Sequence, residues 1–574
     1  MSSRNLNPAA AIVLWLLPAL TAAELTIAGV DQDVERNVRA YVSLASEPCD
    51  AEAWLVRRRF RSAGEEAREA LEPFGFYDPD IASALTFDEE CWHASLTIDP
   101  GEPVTLRRVD IVIAGAAAHD PFFDDLRRPA SLVPGASLRH ADYDELKRTL
   151  QVRAADRGYV EAGFVESRLD IWPENGVADI ELHFDSGPRY RVGELEQEQD
   201  FLDPALVSGY LDLETGVPFD GTALARARRD LSRSGYFDRV DVVPDLDNAA
   251  NGEIPIRVSL QPGDRIEYTV GAGMSTDTGP RLRAGHRNNR VNRKGHRLRS
   301  EIGLSPVIQG ITAEYRIPLT DPRSEWLSYT ATLSREDTDT FETETASAGL
   351  RRSKRLGASW IRTLSLDVSY EEFTIGADSD NSVLVLPAVA FDHKFADQDL
   401  YPTRGRRLGA EFRGTSDALG SNTSFLQATV RARWVRALGS RSRVLARGAA
   451  GFTLKSDFDE LPPSVRFFAG GDESVRGYDF ESLGPTDTEG NVIGGSHLLV
   501  ASIEYEHRLR GDFYGAVFVD AGNAFDDFDV DPEIGAGVGL KWRSPVGPLR
   551  VYLGYPLTDD DGSIRLHVLL GADL

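Results

Sequence analysis

The feature that most constrains the fold is a long C-terminal stretch in which apolar and polar residues alternate with a period of two. It begins near residue 264 and continues to the end of the 574-residue chain, in short segments separated by turns rich in Asp, Gly, Pro and Thr. In HLLVASIEYEHRL one face carries Leu499 and Ile503, and the other carries Glu504 and Arg508. Helical periodicity is missing from this stretch, so we predict an all-β unit.

A soluble β-sandwich would also alternate, but two properties favour a membrane barrel. The polar face is strongly charged, as in LQATVRARWV, where Arg431 and Arg433 alternate with Val430 and Trp434. No helices follow that could cover the apolar face, and a sheet in lipid must close on itself because open edges would leave backbone groups unpaired. At roughly nineteen residues per strand and loop, we expect a transmembrane barrel of about sixteen strands.

The N-terminal half contains a pattern that recurs three times, with a period of about eighty residues. In each copy a helical run ends in glycine and an aromatic residue, and a strand with a second glycine turn follows. A glycine at the end of a helix adopts the left-handed conformation without steric cost. The glycines at the helix ends are Gly75, Gly158 and Gly235, and those in the turns are Gly101, Gly187 and Gly263.

Each copy also opens with a strand-like segment and holds two helical stretches, so we predict three successive β-α-α-β-β modules followed by the barrel. The modules resemble the POTRA domain, a periplasmic unit that can pair a sheet edge with a passing polypeptide. A purely structural spacer would give the same pattern. The predicted limits are 24–101, 102–187 and 188–263 for the modules and 264–574 for the barrel.

The first residues have the pattern of a secretory leader. A basic residue, Arg4, precedes an apolar run and then small residues at positions 21–23. We predict a signal peptide over residues 1–23. An uncleaved anchor helix is the alternative, and it is disfavoured because the apolar run is shorter than the ~20 residues that a membrane helix needs.

The chain contains two cysteines, Cys49 and Cys91, and an even pair in an exported chain predicts a disulfide. Two free buried thiols are the alternative. The sequence has no CxxC, HExxH or Cys/His cluster, so it predicts no metal site and no cofactor. The net charge of −28 argues against a nucleic acid partner, which would favour a basic face.

One segment differs from the strands around it: RFFAGGDESVRGYDF, residues 466–480, lies inside a connection of about forty residues. Phe467 and Phe468 would be unfavourable in solvent, so we expect them to anchor a loop that folds inward. An arginine carried into a barrel lumen needs an acidic partner.

Strand alternation supplies two candidate partners for Arg476. Asp520 and Glu504 both fall on the polar faces of later strands, and a bidentate arginine–carboxylate bond would hold the loop. Gly477 would allow close backbone approach and Tyr478 would pack on the barrel wall. A solvated loop arginine is the alternative, and the sequence assigns no comparable role to Arg466.

VRGY, following RFFAGGD, resembles the V/I-R-G-[FY] loop of the outer-membrane assembly superfamily that includes BamA, the two-partner secretion transporters and TamA. FVDAG, residues 518–522, is similar to the F-x-D-x-G barrel strand of that superfamily. The resemblance implies that Arg476 meets Asp520 and Glu504. Three POTRA-like modules favour the TamA branch, since BamA has five and the two-partner transporters have two. Leu574 departs from the terminal aromatic residue common in outer-membrane proteins.

The resemblance also implies a function. A TamB-like, inner-membrane-anchored partner and unfolded outer-membrane clients such as autotransporters are expected, with traffic of outer-membrane lipids or two-partner secretion as alternatives. The first barrel strand should meet the last in a weakly paired seam that opens sideways. The seam residues are Ile266, Tyr268, Val270, Leu566, Val568 and Leu570.

Two other classes of protein fit the sequence less well. A barrel enzyme such as a phospholipase or protease would need a nucleophile set, and neither G-x-S-x-G nor clustered histidines occur, so we expect no enzyme. We interpret the glycines of GAGVG, residues 535–539, as providing space on one barrel wall. In a dinucleotide-binding site a helix would follow such a motif, and no helix follows this one. A passive porin would leave the three modules unexplained.

Overall fold

The computed structural model describes residues 24–88, 91–376, 378–527, 530–544, 547–559 and 562–570. The predicted signal peptide and Leu574 lie outside these residues. The chain divides into two compact units. One contains the chain up to residue 195 with 214–223 and 244–256, and the other contains 196–213, 224–243 and 257–574. The division runs through the third α/β module, whose limits remain those of the sequence prediction.

Each N-terminal module is a three-stranded mixed sheet combined with helices, with the last strand of the module in the centre. The sheet orders are β1-β3-β2, β4-β6-β5 and β7-β9-β8. Module 1 comprises β1 (Glu24–Ala28), α1 (Gln32–Tyr41), α2 (Ala53–Leu71), β2 (Asp80–Phe87) and β3 (Trp92–Asp99). Module 2 comprises β4 (Thr105–Ala114), α3 (His140–Asp156), β5 (Gly163–Trp172) and β6 (Val177–Asp185). Module 3 comprises β7 (Arg191–Glu198), α4 (Pro204–Leu211), α5 (Gly221–Arg233), β8 (Phe237–Pro244) and β9 (Glu253–Pro262).

The predicted β-α-α-β-β order holds in modules 1 and 3 and differs in module 2. There the first helix is replaced by two 3-10 helices, Gly115–His119 and Pro121–Leu126. Pro121 has no N–H to donate and therefore cannot lie inside a continuous α-helix. The Asp120 side chain accepts a hydrogen bond from the backbone N of Phe122 and so caps the second 3-10 helix.

The module cores follow from the sequence pattern. On α2, Val56, Ala63 and Ala67 are spaced to share one buried face, while β3 buries every second side chain from Trp92 to Ile98. A disulfide joins Cys49 to Cys91 just before β3. The three glycines expected at helix ends, Gly75, Gly158 and Gly235, all have positive φ, at 90°, 80° and 75°.

The C-terminal unit contains a closed antiparallel barrel of sixteen strands, β10 to β25, which confirms the predicted fold class. The first eight strands are β10 (Ile266–Ser275), β11 (Gly279–Asn288), β12 (Arg297–Leu304), β13 (Ile308–Pro318), β14 (Glu325–Asp337), β15 (Phe341–Leu356), β16 (Trp360–Ile375) and β17 (Asp378–Ala396). The last eight are β18 (Arg404–Thr415), β19 (Phe425–Leu438), β20 (Ser442–Lys455), β21 (His497–Arg510), β22 (Phe513–Phe525), β23 (Glu533–Ser544), β24 (Gly547–Pro556) and β25 (Arg565–Leu570).

The two faces of the barrel wall differ as the alternation predicts. On β21, Leu499 and Ile503 are 50% and 58% exposed on the outside, whereas Glu504 and Glu506 are 6% and 0% exposed toward the lumen. Outward apolar and inward polar side chains are the pattern of a transmembrane barrel. Among the helices of the described residues, none is long and apolar enough to cross a membrane.

Within the C-terminal unit, barrel turns contact residues of module 3. The backbone N of Asp203 donates to the oxygen of Arg293 at 2.8 Å, and Arg323 pairs with Asp212 at 2.6 Å. The guanidinium of Arg297 lies 4.1 Å from the ring centroid of Tyr236. These contacts join the start of β12 and the turns before β12 and β14 to the module 3 residues that belong to the same unit.

Candidate functional site

The candidate site is the connection between β20 and β21, residues 456–496, which we call the inward loop. Backbone bridges pair Phe467 with Gly495 and Ala469 with Leu483, so the loop is folded on itself. Val475 and Arg476 near its tip are 0% and 2% exposed. A loop extending into solvent would leave these side chains accessible. The inward loop is therefore packed among the lumen-facing side chains of the barrel.

Arg476 forms the centre of the site. Its Nε and Nη2 donate to the two carboxylate oxygens of Asp520 at 2.7 and 2.9 Å, and its Nη1 donates to Glu504 at 2.7 Å. The backbone N of Arg476 also donates to Asp520, at 3.0 Å. The guanidinium lies 3.5 Å from the ring centroid of Phe518. A bidentate charged pair combined with a cation–π contact fixes both the position and the orientation of the side chain.

Further buried charges surround this pair, and the sequence analysis did not identify them. Lys541 contacts Glu504 at 2.8 Å and also contacts Glu506, which pairs with Arg443 at 2.6 Å. Arg447 pairs with Asp520 at 3.3 Å and donates to two backbone oxygens of the inward loop at 3.1 Å. Each buried carboxylate of the set thus has at least two cationic partners, as burial requires.

Glycines provide the space in which the loop backbone lies. A Cβ on Gly535 of β23 would lie 1.8 Å from the backbone oxygen of Arg476, and a Cβ on Gly554 of β24 would lie 2.9 Å from the backbone N of Gly477. Gly477 itself has φ of +106°, which other residues adopt only with strain. The glycine run of β23 thus gives room on one wall, for the loop and also for the Phe518 ring against Gly537.

Three aromatic residues of the loop, Phe467, Phe468 and Tyr478, lie in different environments. The Tyr478 hydroxyl lies 2.7 Å from both Glu533 and Thr558. Phe467 is buried over Gly451, where a Cβ would come within 2.3 Å of its ring. Phe468 packs against Phe341, with ring centroids 5.1 Å apart. The loop is thus held against several strands around the barrel.

Arg466, to which the sequence assigned no role, is a structural residue of the loop. It donates to the backbone oxygens of Leu461, Ile493 and Asp459 at 2.6, 3.0 and 3.1 Å. Its guanidinium lies 4.4 Å from the Phe458 ring centroid. Strand alternation could not identify these partners, because they are backbone groups of the same loop.

The barrel closes where β10 meets β25. Among the described residues this ladder contains one register pair, Ser275 opposite Leu569. The predicted seam residues lie on these two strands, but they do not face one another. With Ser275 opposite Leu569, antiparallel pairing directs Val568 and Leu566 toward the turn after β10 and not toward Ile266, Tyr268 or Val270. The backbone N of Val568 accordingly donates to Thr276, at 3.2 Å.

Two groups of three possible metal ligands occur in the described residues, with ligand atoms within 4.8 Å of one another. Asp110, Glu181 and His183 are partly exposed on module 2. Asp277, Asp472 and His567 lie at the seam, where both ring nitrogens of His567 are in hydrogen bonds with protein groups. The second group is therefore already satisfied as a hydrogen-bonded cluster.

Two family models match the chain. One is the Omp85 superfamily domain, over residues 292–572, and the other is described as POTRA domain TamA domain 1, over residues 24–100. The match to the Omp85 superfamily domain covers just under half of the chain. The Omp85 domain includes β12 to β25 and the whole inward loop, and the POTRA match coincides with module 1.

Similar proteins agree with these matches. The outer membrane protein assembly factor BamA of Nitratidesulfovibrio vulgaris is 25% identical over 71% of this chain and 53% of its own length. The BamA of Neisseria meningitidis serogroup B is 24% identical over 88% of this chain and 72% of its own length. The chain thus spans about half the length of the first of these relatives.

A solved structure shares the fold. The crystal structure of BamA from Haemophilus ducreyi lacking POTRA domains 1–3 has a TM-score of 0.70 at 17% identity, covering 82% of this chain and 99% of that chain. The barrel lies in the outer membrane, and the POTRA-like modules lie in the periplasm.

Proposed function

We propose that this protein is a TamA-type assembly and translocation factor of the outer membrane. It inserts or secretes β-barrel and autotransporter-type clients through a seam that opens sideways, and its POTRA modules dock a TamB-like partner anchored in the inner membrane. The TamA-type match of module 1 and the presence of three α/β modules support this assignment.

The observation that carries the proposal is the seating of the inward loop in the lumen, beside the two strands that close the barrel. Arg476 is fixed by Asp520 and Glu504, and among the described residues β10 pairs with β25 at Ser275 and Leu569. Unpaired N–H and C=O groups on a seam strand can pair with an incoming client strand. In this mechanism no chemical reaction is catalysed, and folding of the client supplies the free energy.

Substitution of Arg476 by alanine tests the role of the loop. The Arg476→Ala barrel should remain folded, because Asp520 keeps Arg447 and Glu504 keeps Lys541. The loop loses its charged anchor, so we expect insertion of an autotransporter client into liposomes containing the purified protein to fall at least tenfold. Arg431→Ala is the matched control, since Arg431 is an exposed arginine on the lumen face of β19. Normal insertion by Arg476→Ala would contradict the proposed role.

A further inference from the structure

The inward loop also contacts both strands of the seam, through residues other than Arg476. The Asp472 carboxylate accepts hydrogen bonds from Ser275 of β10 at 2.7 Å and from Thr276 of the following turn at 2.8 Å. The same carboxylate accepts a hydrogen bond from Nδ1 of His567 on β25, at 2.6 Å. One loop side chain therefore links the first barrel strand to the last.

His567 is oriented by a second contact with the loop. Its Nε2 accepts a hydrogen bond from the backbone N of Gly477 at 2.9 Å, so the ring hydrogen lies on Nδ1 and is directed at Asp472. Arg565, two residues earlier on β25, pairs with Asp479 of the loop. The last strand is thus attached to the loop at Asp472, Gly477 and Asp479.

This cluster is shielded from water. Asp472, His567 and Ser275 are 2%, 3% and 7% exposed. Hydrogen bonds to an ionised carboxylate are stronger than those between neutral groups, and they strengthen further where water is excluded. Side-chain bonds from the loop to both strands therefore add to the pairing of Ser275 with Leu569 in holding the seam closed.

Neighbouring loop residues bind different walls of the barrel. Glu473, next to Asp472, pairs with Arg433 on β19, and Arg476 binds β21 and β22. Among these three charged residues, Asp472 alone contacts the seam strands within the described chain. Holding the seam and holding the loop are therefore functions of different side chains, four residues apart.

We propose that Asp472 and His567 form a seam latch, which holds β10 against β25 when the inward loop is seated in the lumen. They are positioning residues for the sideways opening in the proposed function, on which this inference rests. The latch couples two movements: when the loop leaves its seat, Asp472 leaves Ser275, Thr276 and His567, and the seam loses the bonds that Asp472 makes across it. Seating of the loop thereby restores the closed barrel.

Spin-label distances across the seam test the latch directly and without a client. Labels are placed at Leu282→Cys on β11 and Leu549→Cys on β24, outward positions one strand removed from the seam on each side, with Cys49 and Cys91 replaced by serine. Asp472→Ala should lengthen or broaden the label–label distance by about one strand spacing, ~5 Å. His567→Ala should have a similar effect, and Thr276→Val a smaller one.

Glu473→Ala is the matched control, because it removes the adjacent loop carboxylate but no seam contact, and it should leave the distance unchanged. Distances for Asp472→Ala and His567→Ala equal to that of Glu473→Ala would overturn the latch. So would widening in Arg476→Ala without widening in Asp472→Ala.

Client insertion by the same variants separates the latch from the proposed function. A wider seam in Asp472→Ala together with altered insertion supports both the latch and the proposed function. A wider seam with unchanged insertion supports the latch but contradicts sideways opening as the route of clients. An unchanged seam overturns the latch, whatever the level of insertion.

Discussion

At the scale of single residues, the site is a set of buried charges in which cations and carboxylates are interleaved. Removing one member of a buried ion pair leaves the other uncompensated and costs about 3–5 kcal/mol. Asp520 is bound by Arg476 and Arg447, and Glu504 by Arg476 and Lys541, so each keeps a cation when the loop arginine leaves. The wall charges can therefore persist in a state with the loop displaced.

Gly535, the β23 glycine that contacts the loop near its tip, gives a residue-scale prediction. Gly535→Ala places a methyl group 1.8 Å from the backbone oxygen of Arg476, so the loop must shift and its bonds to Asp520 weaken. Overpacking of this kind costs about 1–3 kcal/mol. We expect Gly535→Ala to increase protease cleavage of the loop several-fold in the folded barrel.

Gly303→Ala is its control, because a Cβ on this β12 glycine meets nothing within 4 Å. Equal cleavage of the two variants would show that Gly535 does not make room for the loop.

Sequence reasoning reached part of this site. Strand alternation and the VRGY motif predict that Arg476 meets Asp520 and Glu504. The roles of Lys541 and Arg443 were not predicted. Which charges meet across a lumen depends on strand register and on barrel curvature, and the sequence of a single strand encodes neither. Asp472 lies in the loop segment 466–480, but its hydrogen-bond partner Ser275 is 197 residues away in the chain.

At the scale of elements, the predicted order of helices and strands is wrong in module 2. Alternation specified strands well, because burial on one face requires a period of two. In module 2 the expected first helix is divided by Pro121 into 3-10 helices, and Asp120 connects the second of these to the segment after α3. The Asp120 carboxylate accepts from Phe122 N at 3.0 Å and from the Tyr159 hydroxyl at 2.9 Å.

This connection predicts a pH dependence. Burial acts to raise the pKa of Asp120, but the hydrogen bonds from Phe122 and Tyr159 and the charge of Arg157 outweigh it and lower the pKa below its ordinary value. Burial and the bond to Asp120 raise the pKa of Tyr159 to about 12. Because the folded-state pKa of Asp120 is depressed, its stabilisation is present above the unfolded value of about 4 and is lost as the pH falls through the folded value.

We therefore expect Asp120→Asn to lower the stability of module 2 at neutral pH by about 1.5–3 kcal/mol, the range for hydrogen bonds to charged groups. Hydrogen exchange of peptides spanning residues 115–160 in the full chain measures this. The difference from wild type should shrink below pH 4. Asp124→Asn, which removes a surface carboxylate paired with Arg127, is the control and should change stability by less than about 0.5 kcal/mol. A pH-independent difference would contradict the assignment.

At the scale of the whole molecule, the barrel is a continuous wall that closes where its first strand meets its last. Fifteen neighbouring strand pairs follow the chain order from β10 to β25, and the sixteenth contact closes the ring at Ser275 and Leu569. A seam between the first and the last strand can open without unfolding the other strands. Opening would expose the edges of β10 and β25 to lipid and to a client, and unpaired backbone groups in lipid favour new strand pairing.

The most direct measurement is client insertion by a barrel whose seam is locked. Met274 and Leu570 are the next positions in the antiparallel register from Ser275 and Leu569, on the outer face and away from the latch. A disulfide between Met274→Cys and Leu570→Cys, with Cys49 and Cys91 replaced by serine, should abolish insertion of an autotransporter client into liposomes. Addition of reductant should restore insertion to the level of the same variant kept reduced throughout. Insertion by the oxidised, fully cross-linked protein at the reduced rate would contradict the account.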